Sequence, residues 1–526
     1  MLAEKPNGSS ELGIDDKTDA RTNFRGGSRK RKRSIRSRRS SGHGLSRLVE
    51  DFPGWCLVVV IVAAPWAYGT TFPETKEWLA KALCGIGGLF AISLCARGRL
   101  LRINWTSIGL SLLILAYGWW MAWNAHLVYD PAAYYFHPRS APMPSWPGSV
   151  DQKTSWNQMI LITGLFCAFW VVSDLCTRDR WRRRFWAILS LTGLSIVVLG
   201  LMQRFSGAPG IFWRTDLDCG ATFFATYRYH ANAGSFINLI IPLVAAQSIC
   251  AFRKDASQVA KAFWLLALLV VLVGPVVNVS RAATVIAVGI VALLCALELY
   301  DLVRWRRATV NKRVLFVGLI LVLGGVATLV WLIGFSEAYK HWTQLGNSLA
   351  TNGRYIVYDR IEHYVLPESG WWGFGPATFQ LIFPFFTNGL GIAIQGFWEY
   401  AHEDYLQCLT EWGFIGGGIW CLFFGNTIVR AAWKLGRRKS LDTRSRYCGI
   451  GCLLALVSVM THSTVDFPMQ IASLQLYVSV ILGMLTALQY VDPSRQRRVG
   501  TESGDNGMEE PVTMNDARVL LGGRKE

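Results

Sequence analysis

Between residues 53 and 490 the chain alternates between apolar runs of about twenty residues and shorter polar connections. Runs of that length with few charges cross the hydrocarbon of a bilayer as α-helices. They predict spans near 53–72, 77–96, 105–125, 156–175, 183–203, 232–252, 261–279, 281–300, 314–334, 404–429, 447–463 and 471–490. Three connections are long, 126–155, 204–231 and 335–403, and long loops tend to be functional or disordered. In the last, Tyr355, Tyr358, Ile361 and Val365 recur at helical spacing and Pro367 closes the run. That pattern predicts a short amphipathic helix lying over the membrane. The expected fold class is all-α, a polytopic membrane bundle of about 12 transmembrane helices with a large loop containing short helices.

Composition agrees. Hydrophobic residues make up 52% of the chain and charged ones 17%, against roughly 25% charged in a soluble domain, so a soluble multidomain enzyme is excluded. Of the 12 Cys, all but Cys219 fall within or at the ends of apolar segments, where the thiol behaves as a small hydrophobe, and no disulfide framework or zinc spacing emerges.

The placement of charge fixes the expected topology. With the amino end inside, the inner connections 96–102, 177–184, 252–261, 301–313 and 429–446 are all basic, while the outer ones hold few Lys and Arg. This satisfies the positive-inside rule at each connection and puts both termini in the cytoplasm. The net charge of +18 is thereby explained without nucleic acid, and the basic run near 29–47 meets anionic membrane lipids. Residues 1–50 read as a disordered basic tail, 51–334 as the first nine spans, 335–403 as a lid loop, 404–490 as the last three spans and 491–526 as a second tail.

Chemistry is expected on the outer side. Arg281, in NVSRAAT with Ser280, starts an outside-to-inside span, where the helix dipole gives a cation nothing and an anion is expected nearby. It reads either as an arginine reaching the headgroups or as a ligand-binding group. Arg354 opens the short loop helix, with Arg360 and Arg228 as weaker candidates, and guanidinium groups at a membrane surface suit a pyrophosphate through bidentate hydrogen bonds. His402 stands where the large loop re-enters the membrane, followed by Glu403 and Asp404. It is either a headgroup-level histidine or, when neutral, a general base. His462 and Asp466, in HSTVDFP, either support the site or cap a tight turn. No metal cradle stands among the outer loops, so neither a metal nor another cofactor is expected.

The order SR at 280–281, GR at 353–354, GFGPATF at 373–379, HEDYLQCLTEWGFIGG from 402 and HSTVDF from 462 resembles the O-antigen ligase and polymerase superfamily of bacterial inner-membrane glycosyltransferases. His402, Gly413 and Gly416 match the family's spaced His, Gly and Gly, while Glu403 replaces its usual Asn, Ser or Gln. The resemblance implies metal-independent, inverting transfer of a glycan from an undecaprenyl-pyrophosphate donor on the periplasmic face of the inner membrane. The acceptor hydroxyl belongs to lipid A core, a growing glycan or a protein. His402 would be the catalytic base, and Arg281 and Arg354 would bind the pyrophosphate. The polymerases' repeated Arg, ten residues, Gly pattern is missing at Arg281 and Arg354, which favours a ligase over an O-antigen or exopolysaccharide polymerase. A polytopic transporter is the rival from another class, but no internal repeat supports it.

Overall fold

The computed structural model describes residues 50–133, 135–216, 223–254, 256–305, 353–387, 398–437 and 440–491. Both expected tails except their innermost residues, the span expected at 314–334, the loop portions 335–352 and 388–397, Cys219 and most of the basic connection 301–313 lie outside the described residues. The chain divides into two units, Met1–Phe52 and Pro53–Glu526. Of the first, residues 50–52 are described and form the start of a helix, α1, that runs to residue 66. The bundle and the site belong to the second.

The fold is all-α and the chain is a multi-pass membrane protein. Among the described residues, nine helices are long and apolar enough to cross a membrane. They are α2 (Pro73–Cys95), α3 (Trp105–Trp123), α4 (Gln152–Leu175), α5 (Asp179–Phe205), α6 (His230–Arg253), α7 (Gln258–Val277), α8 (Arg281–Trp305), α10 (Asp404–Gly436) and α12 (Ala472–Ala487, whose apolar window extends to Tyr490). The expected spans at 53–72 and 447–463 correspond to α1 and to α11 (Thr443–His462), which are helical but outside that set. The only sheet described is a hairpin in the first long outer loop, Leu127–Asp130 paired antiparallel with Tyr135–Pro138.

Side-chain caps start several of these helices. Asn104 accepts from the Ser107 amide before α3, Asp151 from Thr154 before α4, and Asp442 from Arg444 and Ser445 before α11. Each satisfies amides that the first turn of a helix leaves without partners. Burial then sorts the bundle. The apolar windows of α6 and α12 are 83% and 89% buried, so both are central, whereas those of α7 and α8 are 28% and 22% buried and offer apolar surface outward.

Basic connections gather at one end. Arg99 pairs with Asp174, Arg182 donates to Ser445 Oγ at 2.7 Å, and Lys254 lies 3.7 Å from Asp442. These contacts join the α2–α3, α4–α5, α6–α7 and α10–α11 connections. The starts of α6, α10 and α12 and the end of α11 therefore lie at the opposite end.

Within the large loop, α9 (Gly353–Arg360) continues through a π-helical turn, Ile361–Val365, into Leu366–Ser369. Two details depart from expectation. Pro367 does not end the helix but sits in the first turn of the last piece, where its missing amide costs nothing. The apolar stripe is Val357, Ile361 and Val365, each fully buried, while Tyr355 is 58% exposed. This stripe packs on Phe379, Phe383 and Ala401 of the same loop, so its apolar face is covered by protein.

Candidate active site

Helix α10 breaks where its glycine motif begins. Gly413 has φ 61° and ψ −175°, a backbone conformation closed to residues with a Cβ except at considerable cost. The break exposes backbone groups that a straight helix would pair internally, and the GFGP loop takes them up. Phe374 and Gly375 donate to the carbonyls of Thr410 and Glu411 at 3.0 and 2.9 Å, and the Ile415 amide donates to the Trp371 carbonyl at 3.1 Å. A Cβ on Gly413 would lie 2.4 Å from the Trp371 oxygen, and one on Gly416 2.8 Å from the Trp412 Cβ. The buried Glu411 carboxylate completes the joint, accepting from the Ala377 amide at 2.9 Å and Gln407 Nε2 at 3.0 Å. Sequence reasoning passed over Glu411, which looks like any polar residue in an apolar run.

The start of α10 is fixed as firmly. Glu403 is its N-cap and accepts from the Leu406 amide, the job a capping residue does at that position. Asp404 is buried and accepts from Ser463 Oγ at 2.8 Å, the Met469 amide at 2.9 Å and Gln470 Nε2 at 3.2 Å. Its own amide donates to the Ser463 carbonyl at 2.9 Å. The α11–α12 connection is thus held to the start of α10 from both sides.

These ties bring His402 and Asp466 together. His402 Nδ1 lies 3.3 Å from Asp466 Oδ1, with the His402 side chain 22% exposed and that of Asp466 4%. An imidazole that donates Nδ1–H to a carboxylate keeps its Nε2 lone pair for a substrate. His402 has φ 57°, unusual for a residue with a Cβ, and Tyr358 Oη donates to its carbonyl at 2.6 Å. Burial pushes the Tyr358 hydroxyl up to about 12, so it stays a donor.

Arg354 closes the far side of Asp466. It donates through Nη1 to the Val465 carbonyl at 2.8 Å and through Nη2 to Tyr229 Oη at 2.7 Å, and Nη2 lies 3.6 Å from Asp466 Oδ2. Burial pushes the Asp466 carboxyl up, but the His402 hydrogen bond and the Arg354 charge outweigh it and hold the group below the usual carboxylate range. Burial likewise raises the Tyr229 hydroxyl. Aromatic rings wall the site. Phe467 stacks between Tyr229 at 5.7 Å and Tyr400 at 4.4 Å, and His402 meets Phe467 and Trp398 edge-on at 4.7 and 5.3 Å.

Among the other sequence candidates, Ser280 caps α8 by accepting from the Ala283 amide at 3.3 Å, directly before Arg281. Asn278 Nδ2, in the same turn, donates to the His230 carbonyl at 2.7 Å, which joins the Arg281 turn to the start of α6 beside Tyr229. Arg228 lies over the Phe72 ring at 5.2 Å. Arg360 lies over Tyr364 at 4.6 Å, turned to its own segment. His462 is fully buried in the last turn of α11. The phenol partners of Arg354 and His402 carried a sequence signal of another kind: Tyr229 opens a span beside a Gly-containing loop and Tyr358 falls in the helical stripe of the large loop, but nothing in the sequence pairs either with Arg354 or His402.

Residues 265–421 match the family model described as O-antigen ligase. The match, which spans about 30% of the chain, supports its resemblance to the O-antigen ligase superfamily. The match takes in Arg281, Arg354, His402, Gly413 and Gly416 and ends before His462 and Asp466. Together with the membrane helices, the match supports an enzyme of O-antigen ligase or polymerase type in polysaccharide assembly, a family whose substrates are lipid-linked glycans and acceptors. No curated protein matches the chain.

Proposed function

We propose that this protein moves a glycan from an undecaprenyl-pyrophosphate donor to an acceptor hydroxyl on the periplasmic face of the bacterial inner membrane, with both termini in the cytoplasm. The observation that carries the reading is the His402–Asp466 contact at 3.3 Å, at the end of the bundle away from the basic connections. His402 Nε2 takes the proton of the acceptor hydroxyl as that oxygen bonds to the anomeric carbon. On the opposite face, the bond from that carbon to the pyrophosphate oxygen breaks, the lipid pyrophosphate leaves with the electron pair, and the configuration inverts. Arg281 and Arg354, aided by Arg228, supply positive charge for the leaving group in place of a metal. Arg360 is the weakest of the four because its guanidinium is held on Tyr364.

The absent repeated arginine pattern of the polymerases favours a ligase over a polymerase, and the acceptor hydroxyl belongs to lipid A core, a growing glycan or a protein. Deletion of the gene in its host, followed by analysis of surface and carrier-linked glycans, tests this. A ligase leaves long glycan stranded on the lipid carrier, whereas a polymerase leaves single repeats. Unchanged glycans in both pools would overturn the reading.

A further inference from the structure

The imidazole of His462 is 0% exposed, yet among the described residues neither Nδ1 nor Nε2 has a hydrogen-bond partner. A buried donor or acceptor left unmade costs about 1–3 kcal/mol, so the fold places two costly groups in one ring. They are accompanied. Asn232 Oδ1 and Ser235 Oγ on α6 and Asn278 Oδ1 in the α7–α8 turn are buried and also without hydrogen-bond partners among the described residues.

The packing of α6 against α11 brings these groups to one level. The helices run in opposite directions. A Cβ on Gly451 would lie 3.0 Å from both the Ala246 Cβ and the Pro242 carbonyl, and seven residues on, Ser458 Oγ donates to the Asn238 carbonyl at 3.0 Å. One further turn along α11 puts His462 at the level of Asn232 to Ser235. Between those two, Gly234 lets the α7–α8 turn approach, since a Cβ there would lie 3.0 Å from Asn278 Nδ2. His462 is also tied to the dyad: its carbonyl accepts from the Val465 and Asp466 amides, each at 3.1 Å, and the ring lies within electrostatic reach of Asp466 and Arg354.

We propose that His462 is a positioning residue that acts on Asp466 through water bound in a polar pocket between α6, the α7–α8 turn and α11. A buried water typically makes about three hydrogen bonds to groups that otherwise lack partners. Asn232, Ser235, Asn278 and the two His462 nitrogens offer that number. The bound water braces the loop carrying Asp466 from behind, while Arg354 braces it from the front, so Asp466 keeps its contact with His402. This inference rests on the assignment of His402 as the base.

The test reads His402 directly as well as through transfer. Full-length protein in detergent is treated with diethyl pyrocarbonate across a pH series, and modification of the His402 peptide is followed by mass spectrometry. The groups around His402 that bear on its midpoint are Asp466, Arg354, Tyr229, Tyr358, Glu403 and Asp404. His462→Leu is expected to change the pH dependence of His402 modification toward that of Asp466→Asn, because a displaced Asp466 supports the imidazolium less. It should also lower kcat for transfer about tenfold with donor KM unchanged. His462→Gln, which retains a donor and an acceptor, should fall between wild type and His462→Leu in both. In an Asp466→Asn background, His462→Leu should move the midpoint no further. A wild-type midpoint in His462→Leu overturns the proposal, as does an equal loss in the Gln and Leu variants that persists without Asp466. A midpoint that shifts as expected in a protein with no transfer at all supports the positioning role and overturns the transferase reading instead.

Discussion

Asp466 Oδ1 stands 3.3 Å from His402 Nδ1 although 64 residues separate them in the chain. Hydrogen bonds between other side chains and the backbone on both sides of the pair hold it in place. Asp404 fastens the α11–α12 connection to α10, and Tyr358 fixes the His402 carbonyl. If this pair is the base and its orienting carboxylate, His402→Ala should lower transfer on the order of a hundredfold or more with normal membrane insertion. Asp466→Asn should cost about tenfold or more by offering the imidazole a poorer partner. The double variant should be no worse than His402→Ala alone, as for residues that act as a unit. Wild-type turnover in well-inserted His402→Ala would return this histidine to the headgroup class.

Arg354 gives a sharper distinction between anchor and fork. Its two terminal nitrogens reach two acceptors in different directions, the Val465 carbonyl and Tyr229 Oη. Lysine has the charge and reach but not the planar pair of donors. We expect Arg354→Lys to reduce transfer at least about tenfold, or about 1.4 kcal/mol of transition-state stabilisation. Tyr229→Phe keeps the stack on Phe467 and loses one acceptor, so its loss should be smaller. Rates normalised to membrane protein level decide. Full activity in Arg354→Lys would leave Arg354 as a surface anchor.

The fold was legible because membrane spans are written in long apolar runs whose connections carry their own charge code. The candidate base was legible too, since His402 falls where a loop meets a span and in a spaced motif. What the sequence did not disclose are relations made only in space. Val357, rather than Tyr355, faces inward because the apolar face of α9 is chosen by Phe379, Phe383 and Ala401. Pro367 reads as a stop but is compatible with the first turn of a new helical piece after the π-helical turn. Asp466 reads as either a supporting residue or a turn cap, and only the packing of the α11–α12 connection on the start of α10 shows which residue it meets.

The break at Gly413 should be a folding requirement before it is a catalytic one. Alanine there must adopt φ near 61° and place its Cβ within 2.4 Å of the Trp371 carbonyl. Strain of this kind costs about 1–3 kcal/mol before the steric overlap is counted. Gly413→Ala should therefore reduce the amount of folded protein and its melting temperature in detergent, with a smaller change in activity per folded molecule. Normal stability together with lost transfer would show instead that the GFGP loop acts in the chemistry.

Acid should unravel the same network. The Asp466 carboxyl lies below its ordinary value of 3.8 in the folded protein, burial notwithstanding, because of His402 and Arg354. A depressed carboxyl contributes stability that is fully present above the unfolded value and is lost as pH falls through the folded one. Thermal unfolding followed from pH 6 downward should show wild type more stable than Asp466→Asn at the upper end. The gap should close below about pH 4. A gap that stays constant with pH would mean that Asp466 is not charged in the folded state.

The orientation of the bundle follows from where its charges meet. Arg182 with Ser445 and Lys254 with Asp442 bring the basic connections to one end, and His402, Asp466 and Arg354 occupy the other. If the positive-inside rule governs, that first end is cytoplasmic. Tyr355, 58% exposed on α9, and Trp433, 60% exposed near the basic end of α10, report the two sides. Cysteine at each position, in a background lacking the outer-loop Cys219 and the exposed Cys95 and Cys421, is to be treated with a thiol reagent that cannot cross the inner membrane, in cells with a permeabilised outer membrane. Tyr355→Cys should label in intact cells and Trp433→Cys only after the inner membrane is opened. The reverse pattern would put the His402 site in the cytoplasm. A periplasmic acceptor such as lipid A core would then be out of reach, and the proposed reaction would fail with the topology.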